Sequence, residues 1–121
     1  MKKSLRKEVL AKYNNHCAYC GKLLEYKEMQ VDHYYPQCNP RFARHFLATD
    51  VNDIANLMPS CRRCNHYKGG LLPEAFRKRM ATLHKRVAEM YIVKVALDYG
   101  IVKIEPFNNK FYFEHFQQGV E

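Results

Sequence analysis

Two short pairs of cysteines are the residues of this chain best suited to chemistry. Cys17 and Cys20 form one C-x₂-C pair, and Cys61 and Cys64 form the other. Zinc takes four ligands in a tetrahedron, and a two-residue gap lets one turn of backbone present two sulfurs to the same ion. Because two matched pairs in so short a chain favour metal binding over unrelated buried cysteines, we predict one structural zinc ion bound by all four.

The remaining cysteine and the chain's start bear on the redox compartment. Cys38 is unpaired and is predicted to be a small buried hydrophobic residue. The N-terminus carries charges but no apolar segment of a signal peptide, and no apolar run is long enough to cross a bilayer. We therefore expect a cytoplasmic protein with no membrane partner, in which thiols stay reduced and bind metal.

Polar side chains lie between the cysteine pairs and just after the second one. Asp32 and His33 stand near the end of a predicted strand, Asn56 precedes the second pair, and Asn65 and Lys68 follow its last cysteine. This arrangement resembles the zinc-bearing branch of the HNH endonuclease family over about residues 16–69. The resemblance implies a ββα-metal unit that hydrolyses phosphodiester bonds of DNA with a divalent ion.

The resemblance also implies a role for each polar residue. His33 would be the general base that activates water, and Asp32 and Asn65 would hold the catalytic ion, Mg²⁺ or Mn²⁺. Asn56 would fix the loop between the strands through backbone hydrogen bonds. Asn65 stands where the family name has its second histidine, and a shift of one residue would make His66 the ligand instead.

These assignments agree with the chemistry of the reaction. Phosphodiester hydrolysis needs a base near neutral pH, which histidine supplies, and a hard cation to compensate phosphate charge. Carboxylate and amide oxygens suit Mg²⁺ or Mn²⁺. Neighbours on a strand point to opposite faces, so Asp32 and His33 can serve one site only if the strand twists or ends there.

The positive charge of the chain is concentrated in one segment. The formal net charge is +8, and residues 62–86 hold eight Lys or Arg and one Glu. Such a segment favours a polyanion over an evenly solvated surface. The predicted DNA-binding residues are Arg62, Arg63, Lys68, Arg77, Lys78 and Arg79.

Hydrophobic periodicity predicts the elements that must position these residues. A helix is expected from about Leu5 to Asn14 with Ser4 as its cap, and a long helix from Pro73 to about Asp98. The apolar stripe of the long helix, from Phe76 to Tyr91, is predicted to be core. Residues 101–105 and 111–116 look like two strands of a hairpin.

These elements predict a small α+β fold. A zinc-stapled ββα unit would be flanked by an N-terminal helix, a long C-terminal helix and a C-terminal hairpin. The length of 121 residues indicates a single domain. Within it, the nuclease unit would span about 16–69 and the supporting helix and hairpin about 73–117. Residues 37–52 are predicted to form an irregular insert without an assigned role, and 41–47 to form a short helix within it.

Two further functions fit part of the pattern. A zinc-dependent DNA-binding module without cleavage explains the cysteines and the basic segment, but it needs no Asp-His pair near an amide. A zinc-stapled protein-interaction domain explains the cysteines alone. The sequence leaves homodimerisation open, because one site per chain cuts one strand and a double-strand break needs two chains or two visits.

Overall fold

The computed structural model describes residues 1–35 and 52–118. It divides into two compact units, which we call unit 1 (Met1–Leu72 with Phe111–Glu121) and unit 2 (Pro73–Lys110). The helices of the described residues are α1 Lys3–Ala11, α2 Arg62–Lys68, α3 Pro73–Ala81, α4 Leu83–Ala88, α5 Tyr91–Asp98 and α6 Tyr112–Gln118. The strands are β1 Gln30–His33 and β2 Leu57–Ser60. The predictions for Cys38 and for most of the 37–52 insert fall outside the described residues.

Helix α1 buries Val9 and Leu10, two of the apolar residues whose spacing predicts it. Ser4 lies inside the helix and not at its cap, since the helix begins at Lys3 without a side-chain cap. Asn14 and Asn15 take positive φ angles of 53° and 65°, and asparagine tolerates this region better than most residues. The helix ends at Ala11, three residues before the predicted end at Asn14, and the asparagine pair lies in the turn that follows.

Strands β1 and β2 form an antiparallel pair in which His33 lies opposite Leu57 and Asp32 opposite Met58. A short 3₁₀ turn, Ile54–Asn56, precedes β2, and the Asp53 carboxylate caps it by accepting the Ala55 N–H. Helix α2 begins directly after β2, and its face toward β1 carries the buried Lys68. This ββα arrangement with four grouped cysteines confirms the predicted α+β fold class.

The predicted C-terminal hairpin does not form, because residues 112–118 are the helix α6. Asn109 supplies the expected turn with a φ of 68°. After it, the Glu114 carboxylate accepts a hydrogen bond of 2.8 Å from the Phe111 N–H, which caps a helix start. The alternation of apolar residues that suggested a strand is short. Phe113 and Phe116 are instead at helical spacing and pack against Tyr19 and Tyr13.

The predicted long helix of unit 2 is divided into α3, α4 and α5. Met90 is extended, with a ψ of 131°, and breaks the helix without a glycine or proline. At the first break the Arg79 carbonyl, lost from the helical ladder, accepts hydrogen bonds from the Thr82 hydroxyl and the Arg86 guanidinium. The apolar stripe is core at its start, where Phe76 is buried. It is not core at its end, where Tyr91 is 83% exposed.

Within the described residues, none of the helices combines the length and the apolar character needed to span a membrane.

Candidate functional site

The two cysteine pairs meet in unit 1. The four sulfur atoms lie within 4.8 Å of one another, and the Cys20 and Cys61 sulfurs are 3.8 Å apart. Cys61 also caps α2, since its sulfur accepts the Cys64 N–H at 3.3 Å. A cluster of four convergent thiols is the donor set of a structural zinc site, so the chemistry of the residues fits the predicted ion.

The thiols lie close enough to shift one another's pKa values. Hydrogen bonds, first from Cys20 and then from Cys64, lower the pKa of the Cys17 thiol. The same contact with Cys17 raises the pKa of Cys20 to about 11 and raises the pKa of Cys64. These four cysteines would hold zinc as thiolates, so binding of the ion would release protons.

Gly21 closes the first cysteine turn. Its φ of +82° is a region that side chains rarely adopt, and its N–H donates to the Cys17 carbonyl at 3.0 Å. A Cβ atom at this position would lie 2.7 Å from Cδ1 of Tyr112. Glycine is therefore required both by the turn and by the packing of α6.

Asp32 is buried and paired with a lysine. The Lys68 ammonium lies 3.0 Å from the Asp32 carboxylate, and both side chains are nearly excluded from solvent. The Tyr19 hydroxyl donates a hydrogen bond to the same carboxylate oxygen. Burial and then the Asp32 charge raise the pKa of Tyr19 well above its ordinary value. The pair stays in the interior because hydrogen bonds from Tyr19 to Asp32 and from Lys68 to the His33 carbonyl add to the charge attraction.

His33 is the last residue of β1 and is partly exposed. Its Nε2 lies 2.8 Å from Oδ1 of Asn52. The strand therefore ends at His33, the condition under which Asp32 and His33 can serve one site. The imidazole and the Asp32 carboxylate nevertheless have different partners. In the tautomer in which Nε2 donates to this carbonyl oxygen, Nδ1 keeps its lone pair and can accept a proton.

Asn56 connects the chain after β1 to the start of β2. It is 1% exposed; its Oδ1 accepts the Tyr35 N–H at 2.8 Å, and its Nδ2 donates to the Tyr35 carbonyl at 3.2 Å. The Tyr34 N–H donates to the Asn56 carbonyl at 2.8 Å. These bonds fix the chain immediately after His33 against the start of β2.

Asn65 and His66 lie on different faces of α2. Asn65 is one helical turn before Lys68, so it shares the face that contacts β1. Its side chain makes no hydrogen bond to any residue in the described ranges 1–35 and 52–118. His66 lines a groove on the zinc side together with Cys20 and Gln30. The structure thus brings Asn65, and not His66, toward the side of α2 that meets Asp32.

The predicted DNA-binding residues are divided. Arg62 and Arg63 are exposed and line the groove that holds His66, which has a volume of about 710 Å³. Lys68 is buried against Asp32 and is therefore separated from them.

The other three predicted DNA-binding residues are on α3. The Arg77 guanidinium is held by the Glu74 carboxylate at 3.1 Å and by the Asn109 carbonyl at 2.6 Å. Lys78 and Arg79 are exposed. Of the basic residues on this helix, these two present their charges most directly to solvent.

Three residues with clear roles escape the sequence pattern. Tyr19 stands between the paired cysteines and contacts Asp32, and Asn52 contacts His33 from a segment that has no periodicity. Lys12 donates to the carbonyls of Ile54 and Leu57 and so holds the turn before β2. Burial lowers the pKa of Lys12, against the opposing effect of the Asp53 charge. No spacing rule links these residues to their partners, which lie 13 to 45 positions away.

The chain is similar to an established protein family and to a solved structure. The model of the HNH endonuclease family matches residues 17–70, which confirms the resemblance seen in the sequence. The crystal structure of the Type II-C Cas9 enzyme from Actinomyces naeslundii is similar, with 28% identity and a TM-score of 0.50. The match covers 62% of this chain and 8% of that enzyme, so the chain spans only a small part of the enzyme's length. No curated protein matches the chain. The family match supports a nuclease-type function.

Proposed function

We propose that this chain is a metal-dependent DNA endonuclease of the HNH type. The observation that carries the proposal is the placement of His33, Asn56 and Asn65 on three successive parts of one ββα unit, within the segment that matches the family. Histidine, carboxylate and amide groups are those that metal-dependent phosphodiester hydrolysis needs.

His33 acts as the general base. Asn52 holds Nε2–H through its Oδ1, so Nδ1 is the atom that takes a proton from the attacking water. The hydrogen bond orients the ring and fixes its tautomer, as partners of catalytic histidines commonly do. Asn52 is a positioning residue in this account, because it acts through His33.

Asp32 and Asn65 would hold the divalent ion. Both offer hard oxygen atoms, and the face of α2 that carries Asn65 meets the strand that carries Asp32, so the donor set fits Mg²⁺ or Mn²⁺. When bound, such an ion supplies charge compensation for the scissile phosphate. His66 faces the zinc-side groove and is the less suitable ligand.

Asn56 and Lys68 organise these groups. The bonds of Asn56 to Tyr35 hold the chain that follows His33. The Lys68 ammonium balances the Asp32 charge and donates to the His33 carbonyl at 3.5 Å. Lys68 therefore supports the site from inside, and the outer basic residues Arg62, Arg63, Lys78 and Arg79 contact DNA phosphates, with Arg77 held against α3.

One observation favours the second candidate, a zinc-dependent DNA-binding module that does not cleave. Oδ2 of Asp32 is occupied by both Tyr19 and Lys68, and the ammonium of Lys68 opposes a second cation nearby. In this alternative the Asp32–Lys68 pair is structural, and the basic residues still bind DNA.

Nicking of supercoiled plasmid by the zinc-loaded protein separates the two functions. The endonuclease should nick with added Mg²⁺ or Mn²⁺ and should not nick when these ions are omitted, while zinc content is checked in both samples. Asp32→Asn and Asn65→Ala should lose nicking but keep zinc, whereas His66→Ala should keep both. A wild-type protein that binds the plasmid and never cuts it with any divalent ion would make the non-catalytic module the better account.

A further inference from the structure

An exposed apolar surface lies on unit 2, and we call it the apolar patch. Its residues are between 39% and 83% exposed: Met90, Tyr91, Ile92, Val95, Tyr99 and Ile101. Most of the large hydrophobic side chains that are exposed in the described residues belong to this short stretch. Single exposed hydrophobic residues are ordinary, but a contiguous group marks a surface that contacts something.

Helix α5 is apolar on both of its sides. Val93, Ala96 and Leu97 are partly buried on one side, and Tyr91, Ile92 and Val95 are exposed on the other. Lys94 and Asp98 are its only charged residues. Helices that are hydrophobic all round are found buried, so the exposed side of α5 lacks a partner within the described residues.

The geometry points to a second copy of this chain as that partner, with the two α5 helices packed antiparallel about a twofold axis at Val95. Tyr91, Val95 and Tyr99 are spaced by four residues and read the same in both directions. A twofold axis at Val95 therefore places Tyr91 of each copy against Tyr99 of the other. Self-complementary surfaces of this kind are what symmetric dimers require.

The ends of α5 fit the same arrangement. The helix has no side-chain cap at Met90 and no acidic residue in its first turn, so its first N–H groups are unsatisfied by side chains. In the antiparallel pair, Asp98 of one copy faces Ile92 in the first turn of the other. A carboxylate near a helix N-terminus is favourable, and the dipoles of the two helices oppose each other.

The area of the patch is adequate for a dimer. The two tyrosines, at roughly 150–250 Å² for a buried aromatic side chain, contribute roughly 300 Å². The four other side chains contribute on the order of 100 Å² each when fully exposed, so the patch amounts to roughly 600 Å² per copy. Two copies would bury roughly 1,200 Å², the lower end of specific protein interfaces.

The charges around the patch exclude a polyanion as its partner. Residues 89–105 contain three acidic and two basic side chains, although the whole chain carries a formal charge of +8. A surface of mixed sign suits a second copy, whereas DNA and anionic membranes attract the basic parts of the chain instead. Since the inference rests on unit 2 alone, it does not depend on nuclease activity.

Sedimentation equilibrium of the full zinc-loaded chain tests the inference. The monomer mass is 14.4 kDa. We expect the average mass to rise toward twice this value as the concentration increases from roughly 1 to 100 µM, as a low-end interface area implies. A mass that stays at the monomer value at every concentration would overturn the proposal.

Two matched variants locate the interface. Ile92 is 72% exposed on the patch, and Leu23 is 66% exposed on unit 1. Ile92→Glu should raise the dissociation constant at least about tenfold, because two carboxylates enter an apolar contact. Leu23→Glu should leave it unchanged. Equal weakening by both variants, with unchanged far-ultraviolet circular dichroism, would place the contact elsewhere.

A charge exchange tests the antiparallel register. Tyr91→Lys and Tyr99→Glu should each weaken the dimer. The double variant should recover affinity, because position 91 of one copy faces position 99 of the other and the two introduced charges are opposite. No recovery would reject this register. Co-sedimentation of wild-type monomer with vesicles of neutral phosphatidylcholine, reduced by Ile92→Glu, would show instead that the patch contacts lipid and would overturn the proposed dimer.

Discussion

The two units of the chain treat charged and apolar side chains in opposite ways. Unit 1 buries a lysine and an aspartate as a pair, while unit 2 leaves tyrosine and isoleucine side chains in solvent. Unit 1 brings four thiols together, and in unit 2 the Lys94–Glu89 pair lies at the surface. Unit 1 is therefore organised around its buried groups, whereas unit 2 leaves apolar side chains exposed, where we propose that a second copy binds.

Loss of zinc should have the largest effect, and it should act on unit 1. Structural zinc in small peptides contributes about 10–16 kcal/mol, which matches or exceeds the total stability of about 5–15 kcal/mol typical of a domain. Cys61→Ser should therefore unfold unit 1. Hydrogen exchange measured by mass spectrometry should show rapid exchange in peptides from 1–35 and 52–72.

Peptides from α3 to α5 provide the internal control for that experiment, because unit 2 contains none of the four cysteines. They should change less than the peptides of unit 1. Equal loss of protection in both units would mean that the two share one folding transition, and a folded, zinc-free wild-type protein would contradict the zinc site itself.

The buried ion pair of unit 1 should matter far more than the surface pair of unit 2. Lys68→Met leaves the Asp32 carboxylate buried without its cation and should cost about 3–5 kcal/mol. Lys94→Met removes a pair whose side chains are more than half exposed and should cost about 0–1 kcal/mol. Urea unfolding of the zinc-loaded variants measures both.

A double variant sharpens this result. Lys68→Met with Asp32→Leu replaces both charges by apolar groups and should recover much of the lost stability, since the penalty of the single change is an unpaired buried charge. Similar costs for Lys68→Met and Lys94→Met would remove the energetic contrast between the two units.

Asn56 and Asn108 offer a smaller comparison of the same kind. Asn56→Ala removes two hydrogen bonds to the backbone of Tyr35 in a buried position and should cost about 1–3 kcal/mol. Asn108→Ala removes one exposed bond to the Lys110 N–H and should cost about 0.5 kcal/mol or less. Thermal unfolding of both variants tests the prediction, and a reversed order would contradict it.

The smallest effects are expected from surface arginines and lysines, measured as the salt dependence of DNA binding. Arg62→Ala with Arg63→Ala, and Lys78→Ala with Arg79→Ala, should each flatten the slope of log K against log salt by up to about two units. Arg77→Ala should change the slope little, because Glu74 and the Asn109 carbonyl already hold its guanidinium. A pair whose removal leaves the slope unchanged lies off the DNA-binding surface.

Local rules recover the parts of the fold whose signals are local. The spacing of the cysteine pairs predicts that they share one site, and their sulfur atoms converge in the structure. The asparagine pair, which tolerates positive φ, marks the turn that follows α1. The same rules fail where contacts between residues distant in sequence determine the secondary structure. Residues 112–118 are helical because Glu114 caps the Phe111 N–H and because Phe113 and Phe116 pack on Tyr19 and Tyr13. These partners lie far away in the sequence, so local rules do not find them.

The candidate site shows the same limit. A family pattern suffices to name His33, Asn56 and Asn65, but it gives no reason to expect that Lys68 is buried beneath Asp32. Sequence favours an exposed lysine, since burying a charge is costly unless a partner is present. The partners Tyr19 and Asn52 are found only when strands, turn and helix are brought together in space.

The nicking rate of His33→Ala, measured beside His66→Ala, tests the central claim most directly. Both variants remove one histidine from the ββα unit, but only His33 stands at the end of β1 with Asn52 as its partner. With Mg²⁺ or Mn²⁺ and supercoiled plasmid, His33→Ala should nick roughly 10²–10⁴ times more slowly than wild type, with unchanged zinc content and DNA affinity. His66→Ala should nick at nearly the wild-type rate. If His33→Ala nicks as fast as wild type, His33 is not the general base and the proposed mechanism is wrong.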